Sequence, residues 1–414
     1  MGVKLGDYFT INDIGNAKGK RVLLRIDINS PIKDGVPFDD ARFRGHFEIL
    51  RFLEDSSVVL LAHQGRVGKK DYTTLEAHAR FLSKLLSRDV KFIDDFFGLN
   101  ARSAIKEMKP SEILMLENTR FYSEETLNRK PVDHAKSHIV QKLYRLFDIF
   151  VNDAFAVSHR SHLSVVGFTP VLNSYAGPLM DKEISNLKNA LEIEDCSKVF
   201  VVGGCKINDS IKVIKNMLNS KCANKILIVG DVSIPFLKAR GINIKSSLVR
   251  SKTEDQTSVF LKSTLNKYRN IIELPRDFIV KEKNGSISEV NRDDLSNNHY
   301  ILDIGPETID RYQQLIREAS VAIINGEAHF YGNRSVWEDP VSNSTTCLLR
   351  AVSDADMSIA CSGGSRTSGV IDRLGLKPQF EHISTGGIAS LAFLSGRTLP
   401  GLEALEDARR RIGD

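Results

Sequence analysis

The stretch KVFVVGGCKINDS, residues 198–210, reads as an apolar run, a glycine pair and the opening of a helix. The run lacks polar–apolar alternation. That is the pattern of a strand buried on both faces, as in a parallel sheet covered by helices. Glycines at the strand end let backbone turn tightly, and the helix that follows offers free N–H groups to an anion.

The same unit recurs along the chain. RVLLRIDI (21–28), SVVLLAH (57–63), ILMLEN (113–118) and DIFVNDAF (148–155) precede it. KILIVGD (225–231), SVAIING (320–326) and MSIACSGG (357–364) follow. Helical patterns lie between them. Thr73 and Glu76 suggest a capping box, with Leu75, Ala79, Leu82 and Leu86 sharing a face. Strand and helix in repetition predict an α/β fold with two Rossmann-like parallel-sheet lobes. The repetition breaks near the middle. There Met180, Ile184, Leu187 and Leu191 line one face of a helix that has Pro178 near its start. This helix, 176–193, is read as the bridge between a lobe of residues 1–175, completed by about 395–414, and a second lobe of 194–394. KEKNGSISEVNRDDLSNN (281–298) reads as a surface insertion.

At 414 residues the chain is long enough for two or three domains. A net charge of +5 is too small to indicate a nucleic-acid partner. Five scattered cysteines without a C-x-x-C pair argue against zinc and suit a reducing, cytoplasmic setting. The start, MGVKLGDYFT, lacks a signal core, and no apolar run is long enough to span a membrane.

Ligands of open α/β sheets bind beyond the carboxyl ends of the strands. In the first half these ends carry Asp27, Ile28 and Asn29, then His63, Gln64, Gly65 and Arg66, then Arg120, then Asn152 and Asp153, with Arg42 and Arg160 close by. Guanidinium forks pair with phosphate and carboxylate, so the set suggests a small, strongly anionic ligand. Any one of these arginines could equally be an ordinary surface residue. In the second half the ends are glycines: Gly203–Gly204, Gly230, Gly326, Gly363–Gly364 and Gly386–Gly387. They suggest a nucleotide lobe, without a Walker-A motif or a G-x-G-x-x-G fingerprint. Lys206 is placed to carry charge toward a transferring phosphoryl group. An anion lobe and a glycine-rich lobe together suggest phosphoryl transfer, which needs positioning and charge stabilisation rather than a nucleophilic side chain.

R-I-D-I-N-S-P (25–31), A-H-Q-G-R (62–66), L-E-N-T-R-F (116–121), V-N-D-A-F-A-V-S-H-R (151–160), G-G-C-K-I-N-D-S (203–210) and S-T-G-G (384–387) resemble phosphoglycerate kinase, in order and over essentially the whole chain. A-H-Q-G and K-I-N-D-S resemble its archaeal branch. The resemblance implies a hinge enzyme of the phosphoglycerate kinase fold. It would move the acyl phosphate of 1,3-bisphosphoglycerate to ADP, reversibly, with Mg2+ carried by the nucleotide and no metal held by the protein. It implies that Asp27, Ile28, Asn29, Arg42, His63, Gln64, Gly65, Arg66, Arg120 and Arg160 bind phosphoglycerate. Arg42 and Lys206 would stabilise the phosphoryl group in flight. Gly203, Gly204, Lys206, Gly363, Gly364, Ser365, Arg366, Gly386 and Gly387 would face the nucleotide. Closure of the lobes would exclude water, and a monomer is expected.

The departures from the family cluster in the second lobe. Asp231 stands where a second glycine is usual. NGEAHFYG (325–332) replaces N-G-P-M-G-V-F-E, putting Glu327, His329 and Gly332 at altered positions. Ile388 follows Gly387 in place of a third glycine. Arg366 stands in G-G-S-R-T where much of the family has an acid; there it would neutralise nucleotide phosphates directly. The alternative reading is a non-catalytic relative that binds phosphoglycerate as a sensor or scaffold.

Overall fold

A computed structural model describes residues 7–192, 196–204, 206–242, 244, 255–330, 343–355, 357, 359–363, 365–384 and 386–413. The chain divides into two compact units. One comprises Val3–Ser185 with Thr398–Asp414, the other Asn186–Arg397. The division falls inside one helix, Pro178–Glu192, which begins on its proline. Met180, Ile184, Leu187 and Ala190 are its buried face.

The first unit holds strands β1 (Arg21–Arg25), β2 (Ser57–Leu61), β3 (Val90–Ile93), β4 (Ile113–Leu116), β5 (Ile149–Asn152) and β6 (Asn173–Ala176). They form one all-parallel sheet in the order β3-β4-β2-β1-β5-β6. Successive residues pack into two different cores. Val22, Leu24, Val58 and Leu60 lie in one, Leu23, Val59 and Leu61 in the other. Helices therefore cover both faces, which explains the unbroken apolar runs. The strand order reverses between β1 and β5, the kind of switch point at which open α/β sheets bind ligands.

The second unit holds β7 (Lys198–Val202), β8 (Lys225–Ile228), β9 (Ile272–Glu273), β10 (Asp277–Lys281), β11 (Ile287–Asn291), β12 (Tyr300–Ile304), β13 (Val321–Asn325), β14 (Ile359–Gly363) and β15 (His382–Ser384). Six of these form a parallel sheet in the order β9-β8-β7-β13-β14-β15, which reverses between β7 and β13. The other three, β11-β10-β12, form an antiparallel sheet.

Two local expectations change. The segment 281–298 is not simply an insertion, because it contains β11. Its turn is Asn284–Gly285, with Gly285 at φ +91° and the Glu282 N–H bonded to Ser286 O at 2.9 Å. Asn-Gly between strands is a hairpin signal. The capping box at Thr73 does not form either. The helix Glu76–Leu86 starts after Leu75, whose N–H donates to Glu117 Oε1 at 3.0 Å, while Thr74 donates its hydroxyl to Oε2 at 2.6 Å. A buried carboxylate at the end of β4 outcompetes a local cap, because a charged acceptor makes the stronger bond.

Candidate functional site

Beyond β1, Asp27 is buried and forms an ion pair with Arg42, which sits on the short helix Ala41–Arg44. Burial pushes the Asp27 carboxyl up. Arg42 and Arg25, helped by the Asn29 N–H, outweigh it and hold the group below its usual value. Asn29 Oδ1 accepts the Gly65 N–H at 2.9 Å, tying the end of β1 to that of β2. Ile28 is fully buried in the core, so its backbone alone is available to a ligand.

His63 is 3 % exposed. Its Nδ1 lies 3.1 Å from an Arg25 guanidinium nitrogen, which can only donate. Nδ1 is thus the acceptor, and Nε2 carries the proton. Burial, then Arg25, Arg120, Arg160 and Arg42, hold its pKa well below the ordinary value, so the ring is neutral at working pH. Arg120 donates to Gly65 O. Its pKa falls to about 10, through burial and then through Arg160, Arg25 and Arg66. Arg160 is lowered by burial and by Arg66. Arg66 itself is exposed. The cationic groups therefore converge and oppose one another, an arrangement that an anion relieves.

Gln64 plays another part. It is fully buried, with Oε1 accepting from Ser30 N at 3.1 Å and lying 3.0 Å from His78 Nε2, while its amide donates to Ser30 O at 3.0 Å. Its side chain fastens loops together.

Gly65 has φ +66°, and a Cβ there would stand 2.4 Å from Asp71 O. Gly65→Ala is expected to cost roughly 3 kcal/mol, from left-handed strain plus backbone overlap. It should also weaken anion binding, since Gly65 O and N–H hold Arg120 and Asn29. Urea denaturation together with a binding titration measures both effects.

Sequence reasoning passed over Arg25. Its side chain, 1 % exposed, donates to Ser164 Oγ at 2.9 Å, and Ser164 donates in turn to Glu125 at 2.7 Å. A charged residue inside an otherwise apolar run was the available signal.

In the second unit the strand-end glycines meet one another. The Gly204 N–H donates to Glu327 O at 3.0 Å. A Cβ on Gly203 would sit 2.3 Å from Glu327 O, one on Gly230 2.8 Å from it, and one on Gly326 2.4 Å from Gly203 O. Close backbone packing among three loops thus accounts for Gly203, Gly230 and Gly326. Glu327 and His329 are buried; His329 Nδ1 lies 3.2 Å from Thr345 Oγ1. Lys206 is exposed and immediately precedes the helix Ile207–Ser220. The Gly386 N–H donates to Ser384 Oγ at 2.9 Å, and Gly387 (φ +51°) precedes the helix Ile388–Leu394. Gly363 ends β14. Ser365 and Arg366 open the helix Ser365–Arg373, and their side chains lie outside the described residues, as do Gly364 and Gly332. Among the described residues no group of His, Cys, Asp and Glu is placed to hold a metal ion, and no helix is long and apolar enough to cross a membrane.

Asp303, at the end of β12, caps the helix Ser344–Ser353 through the Ser344 N–H (3.1 Å) and hydroxyl. Burial raises its pKa to about 6, against the hydrogen bonds that lower it. An acid raised on folding favours the folded state fully below its unfolded pKa, and that contribution is lost as pH rises through the folded one. Asp303→Asn removes this dependence. Its stability relative to wild type is expected to improve by about 2–3 kcal/mol between pH 4 and pH 7. Denaturant melts of both proteins across that range would show it; a constant difference would contradict the shift.

A cationic strand-end cradle on one parallel sheet and a glycine-built strand end on a second define the class, a two-unit α/β phosphotransferase. The family model described as phosphoglycerate kinase matches residues 11–397. The chain belongs to the phosphoglycerate kinase family. It is 43 % identical over 410 residues to phosphoglycerate kinase 1 of Methanosarcina acetivorans, covering 98 % of this chain and 97 % of the relative. It is 42 % identical over 402 residues to the phosphoglycerate kinase of Archaeoglobus fulgidus, covering 96 % of each. The crystal structure of phosphoglycerate kinase from Pyrococcus horikoshii OT3 matches with TM-score 0.87 at 35 % identity, covering 97 % of this chain and all of that one. The structure of the Coxiella burnetii enzyme matches with TM-score 0.75 at 29 % identity, covering 97 % and 99 %.

Proposed function

We propose that this chain transfers the acyl phosphate of 1,3-bisphosphoglycerate to ADP, giving 3-phosphoglycerate and ATP, reversibly, in glycolysis and gluconeogenesis. The observation that carries the reading is the convergence of Arg25, Arg42, Arg120 and Arg160 on a neutral His63 beyond β1 and β2. The comparisons lend no support to a non-catalytic binder. Asp27, Asn29, Arg42, His63, Arg66, Arg120 and Arg160, with the backbone of Ile28 and Gly65, hold phosphoglycerate. Neutral His63 donates a hydrogen bond from Nε2, and the guanidinium groups carry the charge. Arg42 and Lys206 neutralise the phosphoryl group as it passes in line between two oxygens. The nucleotide arrives with its own Mg2+ at the second unit, near Gly203, Gly204, Lys206, Gly363, Gly364, Ser365, Arg366, Gly386 and Gly387. The chain is read as a cytoplasmic monomer.

A coupled assay with 3-phosphoglycerate and a panel of Mg2+ and Mn2+ nucleotides tests the reading. Turnover with at least one nucleotide is expected. Tight phosphoglycerate binding with no turnover on any nucleotide would restore the non-catalytic alternative.

A further inference from the structure

We propose that His46 is a positioning residue for the reaction: it sets the phosphoglycerate cradle by gripping the backbone of Asp27 while it orders Asp153 at the start of the helix Pro178–Glu192. His46 and Asp153 are 1 % and 0 % exposed, and His46 Nδ1 lies 2.6 Å from Asp153 Oδ2. The other ring nitrogen, Nε2, accepts the Asp27 N–H at 3.0 Å, with the Asp27 carbonyl 3.3 Å away. One tautomer satisfies both partners, with the proton on Nδ1 donated to the carboxylate and the Nε2 lone pair facing the amide. A proton on Nε2 would set a donor against a donor.

The pair links two parts of the first unit. His46 follows Arg42 by four residues. Arg42 takes the Asp27 carboxylate while His46 takes its amide, so a single short segment holds Asp27 at both ends. On the far side, Asp153 Oδ1 accepts from Leu179 N at 2.8 Å and Met180 N at 3.3 Å. It thereby satisfies free donors in the first turn of the helix. The Asp153 N–H donates to Arg25 O at 2.9 Å, so the carboxylate is anchored to β1 as well. A side chain at Gly177 would stand 2.3 Å from Asp153 Oδ1, so that glycine keeps the cap accessible. The path therefore runs from Asp27 through His46 and Asp153 to the helix that continues past Ser185 into the second unit. Asp27, His46 and Asp153 are all buried, so loss of one partner leaves the next unsatisfied.

This inference rests on the assignment of Asp27 and Arg42 to phosphoglycerate, and the experiment separates the two. A glutamine amide reaches about as far as Nε2, and an asparagine amide about as far as Nδ1. His46→Gln can therefore keep the Asp27 grip while losing the Asp153 donor, and His46→Asn the reverse. The readouts are KM for 3-phosphoglycerate and for the nucleotide, and amide hydrogen exchange at Leu179 and Met180. His46→Ala is expected to raise the 3-phosphoglycerate KM about tenfold, leave the nucleotide KM within about twofold, and speed exchange at both amides. His46→Gln should restore KM but not the protection, and His46→Asn the protection but not KM. Gln and Asn variants that fold yet share the same KM and exchange would overturn the proposal, as would an equal rise in nucleotide KM. If the alanine variant does not fold, the other two still decide. Failure of the wild-type protein to bind 3-phosphoglycerate sinks the assignment of the cradle itself. Normal binding with indifferent His46 variants sinks only the role of His46.

Discussion

Arg42→Ala is expected to lower kcat by about 10³ while raising the Kd for 3-phosphoglycerate less than tenfold. Arg42 is three-quarters buried, with a side-chain exposure of 22 %, and its guanidinium is held by Asp27. That carboxylate fixes one edge of the fork, so the group is pre-set rather than recruited by the substrate. A pre-set cation acts most strongly on charge that develops during transfer, because no reorganisation is needed at that moment. Arg42→Lys keeps the charge but loses the planar fork, and should recover only part of the rate. Removing Arg42 also leaves Asp27 buried without its main counter-charge, so some loss of stability is expected alongside. Steady-state kinetics with direct binding separate these effects. If binding weakens as much as turnover falls, Arg42 serves the ground state only.

Lys206→Ala is expected to lower kcat by about 10²–10³ with little change in nucleotide Kd. The second unit makes this a clean test. Lys206 is exposed, at the turn that leads into Ile207–Ser220. The helix it precedes is held by a buried face that includes Ile207, Ile211, Ile214, Met217 and Leu218. A flexible point charge on a long stem can follow a phosphoryl group as it moves, which a rigid fork cannot do as freely. Lys206→Arg should therefore recover charge without recovering the full rate. Single-turnover kinetics decide the matter: an unchanged chemical step would remove Lys206 from the transition state.

The strands show what kind of structure a sequence can declare. All eight apolar runs are strands, and all eight are interior to the parallel sheets or flanked on both sides. The strands that reading passed over in these sheets are Val90–Ile93, Asn173–Ala176, Ile272–Glu273 and His382–Ser384, and these are the four sheet edges. An interior strand must be apolar on both faces, so its burial is written in its composition. An edge strand pairs on one side only and tolerates Lys91, Asn173 or Glu273, so its signal fades. The hairpin at Asn284–Gly285 had a signal that went unused.

For the site, residue type and placement at strand ends were enough to select Asp27, His63, Arg120 and Arg160. Arg25, His46 and Glu125 stayed hidden. Each acts from beneath the surface through partners distant in the chain, 19 residues for His46 to Asp27, 38 for Arg25 to His63 and 139 for Arg25 to Ser164, and no local pattern encodes such a meeting. The glycines of the second unit are the reverse case. Their sequence positions suggested close approach to a ligand, whereas three of them are needed where strand-end loops approach one another.

The sequence by itself determined a two-lobed α/β fold, because burial on both faces and cations at strand ends are properties of residue type and order, and its ordered motifs carried the resemblance to the phosphoglycerate kinase family. Only the tertiary structure decided how the cradle is held: which tautomer His63 and His46 adopt, why Gln64 faces inward, and how Asp153 reaches a helix 26 residues on. The reason is physical. Tautomer, protonation and satisfied hydrogen bonds depend on neighbours that folding brings within 3 Å or so, and those neighbours are distant in the chain.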